Sequence, residues 1–228
     1  MSAGHGKLFI VGTPIGNLED VTLRALRVLK GVDLVAAEDT RHTSLLLSRY
    51  EIHKPLVSCH EFNEAKRTAE ILRELRNGKR VALVSDAGMP TVSDPGMRLV
   101  QAALDAGISV EVIPGPSAIT AALAGCGLPA VPFLFYGFLP HKSAQRRKVL
   151  TGLAPLPFTL MFFESPYRLQ KSLVDLKDVL GNRRAVVARE LTKKFEEILR
   201  GDLASLVKML ENRTVKGEIT LVVEGRPE

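Results

Sequence analysis

The sequence predicts an α/β protein of two domains, the first built on a largely parallel sheet and the second on a mixed sheet. Three observations carry this. Short apolar runs alternate with amphipathic helical segments as far as Ile113, the pattern of a parallel sheet covered by helices. Three of those runs stop abruptly in loops rich in glycine and proline: Leu8–Gly12 enters Thr13-Pro14-Ile15-Gly16-Asn17, Val81–Val84 enters Ser85–Gly96, and Val110–Ile113 enters Pro114-Gly115-Pro116-Ser117-Ala118. Beyond these prolines the alternation loosens, and Arg184–Arg189 and Glu196–Arg200 follow one another closely enough to form an antiparallel pair.

Taken in order, Leu8–Gly12 is a strand and Asp20–Leu29 a helix with Leu23, Leu26, Val28 and Leu29 on one face. Val32–Ala37 is a strand, Arg41–Arg49 a short helix and Leu56–Ser58 a short strand. Glu61–Asn77 is a long helix in which Ala65, Ala69, Leu72 and Leu75 recur at core spacing, and Gly78 suits its C-terminal cap. Strand Val81–Val84, helix Gly96–Ala106 and strand Ser109–Ile113 follow. In the second half the elements are helix Ser117–Ala124, strand Phe133–Tyr136, basic helix Gln145–Gly152, strand Phe158–Phe163, helix Tyr167–Leu180, the two close strands, helix Leu203–Glu211 and strand Glu218–Val223. A boundary near Pro114–Pro116 gives domains of residues 1–114 and 115–228.

Length and composition bound the function. A chain of 228 residues with 46% hydrophobic and 25% charged residues has an ordinary core and surface. No apolar run approaches the ~20 residues that span a bilayer. Met1 to Lys7 lacks the apolar centre of a signal peptide, so the expectation is a cytoplasmic protein without a membrane partner. The net charge of +6 suits a polyanion such as RNA, and equally suits plain solubility. Cys59 and Cys126 stand far apart in no CxxC pair, which favours isolated thiols over a disulfide. No Cys/His cluster has metal-ligand spacing, so no metal is expected. Gly-x-Ser-x-Gly, Walker and HExxH motifs are absent, so hydrolase, nucleotidase and metalloprotease readings lack their nucleophile or metal set.

The loops hold the candidate chemistry. Gly12-Thr13-Pro14-Ile15-Gly16 sits where a dinucleotide fingerprint would, and Glu38 ends the second strand near the place of a ribose-binding acid. Yet Pro14 has no N–H to approach a pyrophosphate, which argues against a Rossmann cofactor site and leaves a tight turn as the alternative. In Ser85–Gly96, glycines permit unusual dihedrals and prolines stiffen the path. Asp86 there can accept from a ribose hydroxyl or an amine, and Asp94 either acts in the site or caps the following helix. The amides from Ser117 onward can hold a carboxylate or an adenine edge, or Ser117 is simply a cap. Glu38-Asp39-Thr40-Arg41-His42-Thr43 crowds more charge after a strand than an N-cap explains, which favours a substrate-facing role. His60 is either a proton acceptor or a satisfied surface histidine. Arg146, Arg147 and Lys148 open a helix against its dipole, which points to phosphate or to a solvated face. Arg189 and Lys193 belong to a second basic loop. No aromatic-rich stacking motif of the RRM kind appears.

Together these blocks resemble the tetrapyrrole methylase superfamily, two-domain enzymes that use S-adenosylmethionine, and within it the branch of small-subunit (16S) rRNA cytidine 2′-O-methyltransferases. The residues that carry it are Val11–Asp20, Ala37–Thr43, Val84–Pro90, Ser93–Gly96, Pro114–Ala118, Tyr136–Pro140, Phe163–Ser165, Arg189–Thr192 and Lys216–Glu218, in order along nearly the whole chain. Porphyrin and corrin branches typically carry Gly-Gly-Asp-Pro where this chain has Ser85-Asp86-Ala87-Gly88-Met89-Pro90. RNA members usually run past the last strand, so a C-terminal RNA-binding or docking segment is either missing after Glu228 or naturally absent.

The resemblance implies S-adenosylmethionine in a cleft between the domains. Pro14, Ile15 and Gly16 would flank it, and Asp86, Ala87, Gly88 and Met89 would hold its ribose and methionine parts. Ser117 and Ala118 would meet its polar end, while Phe163, Glu164, Glu190 and Leu191 close the far side. Asp94, Glu38, His42 and His60 are the candidate bases, with Arg41 as electrostatic partner. Arg41, Arg146, Arg147, Lys148, Arg189 and Lys193 would meet 16S rRNA or the small ribosomal subunit, and a homodimer is expected. The rival readings are a C-methyltransferase of a porphyrin or corrin precursor and an RNA-binding protein without catalysis.

Overall fold

The computed structural model describes residues 6–226, so the N-terminal reading on Met1 to His5 and the final Pro227 and Glu228 lie outside it. The chain divides into two units that change over between Ser117 and Ala118. In the first, β1 (Lys7–Val11), β2 (Leu34–Ala37), β3 (Leu56–Ser58), β4 (Arg80–Val84) and β5 (Ser109–Ile113) form one parallel sheet in the order β3-β2-β4-β1-β5. The helices are α1 (Leu23–Gly31), α2 (Thr40–Arg49), α3 (Glu64–Arg76) and α4 (Met97–Asp105).

Side-chain alternation explains why this sheet is covered on both faces. Phe9 and Val11 of β1 pack with Ala25, Val28 and Leu29 of α1 and Leu47 of α2. Leu8 and Ile10 pack with Ile71 and Leu75 of α3 and Leu99 and Ala103 of α4. Two helices start later than periodicity indicates, and each shift has a capping cause. Thr22 accepts from the Ala25 amide and starts α1 at Leu23, so Leu23 is 86% exposed rather than on the buried face. Leu18–Asp20 forms a separate 3-10 turn, its Asn17 accepting from the Glu19 amide. Before α3, Asn63 is held in a turn with His60, so the helix starts at Glu64 and buries Ile71 and Leu75 while Ala65 and Ala69 face outward. Gly78 takes φ +86 just past the end of α3, the left-handed cap conformation that glycine adopts freely.

The second unit holds α5 (Ala118–Cys126), β6 (Phe133–Phe138), α6 (Ser143–Leu153), β7 (Thr159–Glu164), α7 (Leu169–Leu180), β8 (Arg184–Arg189), β9 (Glu197–Asp202), α8 (Leu203–Leu210) and β10 (Ile219–Val223). Its sheet order is β6-β7-β10-β8-β9, with β6 and β7 parallel and the remaining pairs antiparallel. Leu160 and Phe162 of β7 join the core formed with α6, α7 and α8, and Met161 between them packs toward α5. Cys59 and Cys126 are both free and buried. No helix among the described residues is long and apolar enough to cross a membrane.

Candidate active site at the carboxyl edge of the first sheet

The order β3-β2-β4-β1-β5 seats β4 between β2 and β1. The helices that follow β1 and β2 pack on one face and those that follow β3 and β4 on the other. The chain therefore leaves β4 toward the face opposite to that taken from its two neighbours, which opens a crevice at their carboxyl ends.

The loops around that crevice are locked together. The Thr13 amide donates to the Gly88 carbonyl at 2.9 Å, and the Gly88 amide donates back at 3.1 Å. The Thr13 hydroxyl donates to the Ser85 carbonyl at 3.1 Å. Gly12 and Gly115 touch backbone to backbone. A Cβ on Gly12 would lie 2.7 Å from Met89 Sδ and 2.8 Å from Gly115 Cα, and one on Gly115 would lie 2.9 Å from Gly12. Glycine at both positions is what lets the loops after β1, β4 and β5 meet. Pro14 and Ile15 are buried, Gly16 is exposed, and Ala87 and Met89 are half-buried. Thr91 (φ +73) and Ser93 (φ +69) hold left-handed backbone in the loop after β4, strain of the kind that clusters in binding loops.

Three carboxylates meet at this edge. Asp86 Oδ1 accepts from the Asp39 amide at 3.0 Å, and the Asp86 amide approaches Glu38 Oε2 at 3.4 Å. Asp39 caps α2 through the Arg41 amide at 2.8 Å and grips the Arg41 guanidinium, which holds its carboxyl far below the usual range. Glu38 moves the other way: burial, then the charges of Asp86 and Asp39, push its carboxyl up against the opposing Asp86 amide bond.

His60 is fixed by its neighbour. Its amide donates to Asn63 Oδ1 at 2.9 Å, which orients the Asn63 carboxamide so that Nδ2 faces His60 Nε2 at 3.0 Å. Nε2 therefore accepts, and in the neutral ring the proton sits on Nδ1, a buried atom with no hydrogen-bond partner among the described residues. In this arrangement the Nε2 lone pair of His60 is engaged by Asn63, so the ring takes up a substrate proton only if that bond is given up. His42 lies exposed on the first turn of α2. Asp94 is half-buried, while the Gly96 and Arg98 amides at the head of α4 go to Glu64 Oε1 at 2.9 and 3.0 Å. Ser117 is half-buried at the end of the first unit.

In the second unit, Ala118 begins α5 and Phe163 lies half-buried with its ring 4.9 Å from Phe135 and 5.6 Å from Phe138. Glu164 departs from the expected ligand contact: its buried carboxylate is taken by the Ser172 hydroxyl, the Ser165 amide at 2.7 Å and Arg168 at 2.5 Å. Glu190 accepts from the Glu218 amide and from Lys193, both at 3.1 Å; burial would raise its carboxyl, but these partners hold it below the ordinary value. Leu191 packs half-buried with Met161 and Val186.

Arg146 is a correction. It is 2% exposed, its Nε donates to Asp175 at 2.7 Å, and it also donates to the Pro140 and His141 carbonyls, so it cannot reach a phosphate. Arg147 pairs with Asp175 at 2.9 Å and Asp178 at 3.1 Å. The basic start of α6 is thus answered by acids of α7. Arg189 is engaged by the Lys216 and Phe195 carbonyls and by Glu197, and Lys193 by Glu190 and Glu218. Lys148 is exposed, and Arg41 is exposed but paired. The Asn63 lock on His60 and the Glu64 cap on α4 escaped the sequence reading. An asparagine three residues after a histidine is a usable turn signal, whereas Asp175 lies 29 residues from Arg146 with no local mark. No group of His, Cys, Asp and Glu among the described residues is arranged to hold a metal.

Comparison with known proteins adds the following. Residues 7–207 match the family model of the tetrapyrrole (corrin/porphyrin) methylases. The chain is 50% identical over 221 residues to ribosomal RNA small subunit methyltransferase I of Thermotoga maritima, covering 97% of this chain and 99% of that protein. It is 51% identical over 225 residues to the protein of the same name from Escherichia coli O157:H7, covering 97% of this chain and 78% of that one. Among solved structures, a uroporphyrin-III-C-methyltransferase from Thermus thermophilus superposes with a TM-score of 0.66 at 26% identity, over 95% of this chain and 94% of that one.

Proposed function

The chain belongs to the tetrapyrrole (corrin/porphyrin) methylases, and from that premise we propose that it transfers a methyl group to the ribose 2′-oxygen of a cytidine in 16S ribosomal RNA. The observation that carries the substrate is the 50% identity, over nearly the full length of both chains, to a ribosomal RNA small subunit methyltransferase I. The uroporphyrin enzyme, at 26%, supports the fold and the methyl-transfer chemistry but not a tetrapyrrole substrate.

S-adenosylmethionine is the cofactor, and it supplies a methyl group already activated on a sulfonium. The residues of the carboxyl edge fit it. Asp86 offers an acceptor for ribose hydroxyls or an ammonium, and Pro14, Ile15, Ala87 and Met89 offer apolar walls. The locked loops make this edge rigid before anything binds, so alignment of the attacking oxygen behind the methyl carbon is prepaid in folding. When bound, the cofactor would supply the methyl group to the 2′-oxygen, and the proton of that hydroxyl needs an acceptor on the protein. The reading gives that role to Glu38, whose raised carboxyl retains its affinity for a proton nearer neutrality. Arg41 and Lys148 are assigned to RNA phosphates. A homodimer accords with the edge strand β6, which exposes Phe133, Tyr136 and Phe138. On this reading the protein works in the cytoplasm, where its substrate would be.

The test is incubation with radiolabelled S-adenosylmethionine and small ribosomal subunits from cells lacking the modification, with modified subunits as control. Label confined to unmodified rRNA and mapped to a cytidine 2′-oxygen is the expected result. Cofactor binding without RNA labelling overturns the substrate, and labelling of a porphyrin or corrin precursor replaces it.

A further inference from the structure

Phe62 is an apolar ring that the fold holds away from its own core. It is 94% exposed, in the turn between β3 and α3. That turn is rigid. The Asn63 and Glu64 amides both donate to the His60 carbonyl, at 3.0 and 2.9 Å, and Asn63 Nδ2 reaches Ser58 Oγ at 3.0 Å. Arg67 Nε donates to the Ser58 carbonyl at 2.9 Å. Glu64 ties the start of α3 to the head of α4 through the Gly96 and Arg98 amides. The loop bearing Phe62 is therefore bound to the loop after β4, on the carboxyl edge that carries Glu38 and Asp86. The ring of His60 meets Phe62 edge-on, with centroids 6.2 Å apart, and leaves the faces of the Phe62 ring to solvent.

Along the chain the ring is flanked by His60, Glu61, Asn63 and Glu64, and a single ring is the right size for one base. Two exposed cations supply the charge a phosphate backbone requires: Lys66 on the first turn of α3, and Arg98, whose side chain is 67% exposed and 3.9 Å from Glu64. We infer that Phe62 is a stacking post for an unpaired nucleobase of the RNA substrate, with Lys66 and Arg98 on the flanking phosphates. This rests on the proposed RNA substrate and adds how the strand is held at the carboxyl edge. A stack of this kind reads no sequence, because every base has a π face; it sets the register of the strand.

The experiment compares the parent with Phe62→Ala, Phe62→Leu and Phe62→Trp, all at an exposed position that the fold does not need. Binding is read by anisotropy of a labelled 12-nucleotide single-stranded RNA of mixed sequence, at two salt concentrations, and methyl transfer is read on unmodified small subunits. Phe62→Ala and Phe62→Leu weaken RNA binding by roughly 5- to 150-fold, the range that one base–aromatic stack supplies. Phe62→Trp restores it, S-adenosylmethionine affinity is unchanged in all three, and the loss is equal at both salts. Lys66→Ala and Arg98→Ala instead flatten the salt dependence. Parent-like binding by Phe62→Ala, or full rescue by Phe62→Leu, overturns the stack. A loss seen on subunits but not on naked RNA also overturns it, and assigns Phe62 to a ribosomal protein. If the parent methylates no ribosomal RNA yet the oligonucleotide responds as stated, the proposed reaction falls and the stacking post stands. A parent that does not bind the oligonucleotide overturns the stacking post, and one that also fails to methylate unmodified subunits overturns both.

Discussion

Gly12→Ala probes the lock between the loops, and its size follows from the distances. The added methyl would sit 2.7 Å from Met89 Sδ and 2.8 Å from Gly115 Cα. Comfortable carbon contacts begin near ~3.5 Å, so roughly 0.7 Å must be found on two sides at once. Met89 can swing its thioether aside. Gly115 cannot retreat as easily, because it is backbone, and because its neighbour Ile113 accepts from the Gly12 amide at 3.0 Å. Overpacking of this kind costs about 1–3 kcal/mol. For a chain of this length each kcal/mol is about 2–4 °C, so a cost of about 2 kcal/mol lowers the midpoint by roughly 4–8 °C. S-adenosylmethionine affinity falls with it, since the three loops can no longer meet. The comparison variant is Gly152→Ala, in α6, where a Cβ meets nothing within 4 Å and glycine only adds unfolded-state freedom. It stabilises by about 0.5–1 kcal/mol. Thermal and urea unfolding with cofactor titration calorimetry read all of this. Gly12→Ala with an unchanged midpoint and unchanged cofactor affinity would refute the claim that glycine is required for loop contact.

Glu38→Gln removes the proposed base and lowers kcat by roughly 10²–10⁴-fold. In the parent, kcat falls as pH drops through the raised carboxyl value, and in the variant that limb is lost; retention of both the rate and the limb would exclude Glu38 as the base. Because its folded value is raised, Glu38 favours the fold below its unfolded value, and that contribution is lost as pH rises through the folded value. Glu38→Gln therefore raises the melting temperature at pH 7 while it lowers activity, and a lowered melting temperature contradicts the assignment. Asp175 behaves oppositely. Burial would raise its carboxyl, but hydrogen bonds from Arg147, Ser143 and Arg146 hold it below the ordinary value. Its stabilisation is complete above the unfolded value of about 3.9 and is lost as pH falls through the folded one, a step that Asp175→Asn abolishes in acid titrations of stability. Arg146→Ala strips Asp175 of its buried partner and leaves it only Ser143 and the more exposed Arg147, so it costs up to about 3–5 kcal/mol in urea unfolding, whereas Lys148→Glu leaves stability near parent and weakens RNA binding.

What was legible in the sequence was what local chemistry dictates. Val81–Val84 followed by glycine and proline reads as a buried strand that ends in a stiff turn, and three such endings gave both the parallel sheet and its candidate site edge. The expected order of elements holds for the same reason: each run is as long as one strand or helix, and each cap is a nearby residue. The pairings that failed to show are those made only when one element folds back against another. Arg146 reads as a free cation because the carboxylate that buries it comes from the next helix. Glu164 is expected at the ligand only through the family resemblance, and its partners Arg168 and Ser172, though near in sequence, meet it only once α7 has folded back on β7.

By the same argument, the candidate residues of the first unit separate from those of the second. At the carboxyl edge of the first sheet, Gly12, Thr13, Gly88 and Gly115 bind loop to loop through backbone, and the backbone contact leaves a sequence signal, because only glycine fits. In the second unit the candidates are charged side chains, and a charge carries no sign of whether its partner is the protein or the substrate. Arg189, Lys193 and Glu190 all found partners within the chain. A basic residue in a loop is therefore a weak pointer to RNA until its acids are accounted for. An exposed aromatic on a braced turn is a stronger one, because nothing in the fold explains why the ring is there.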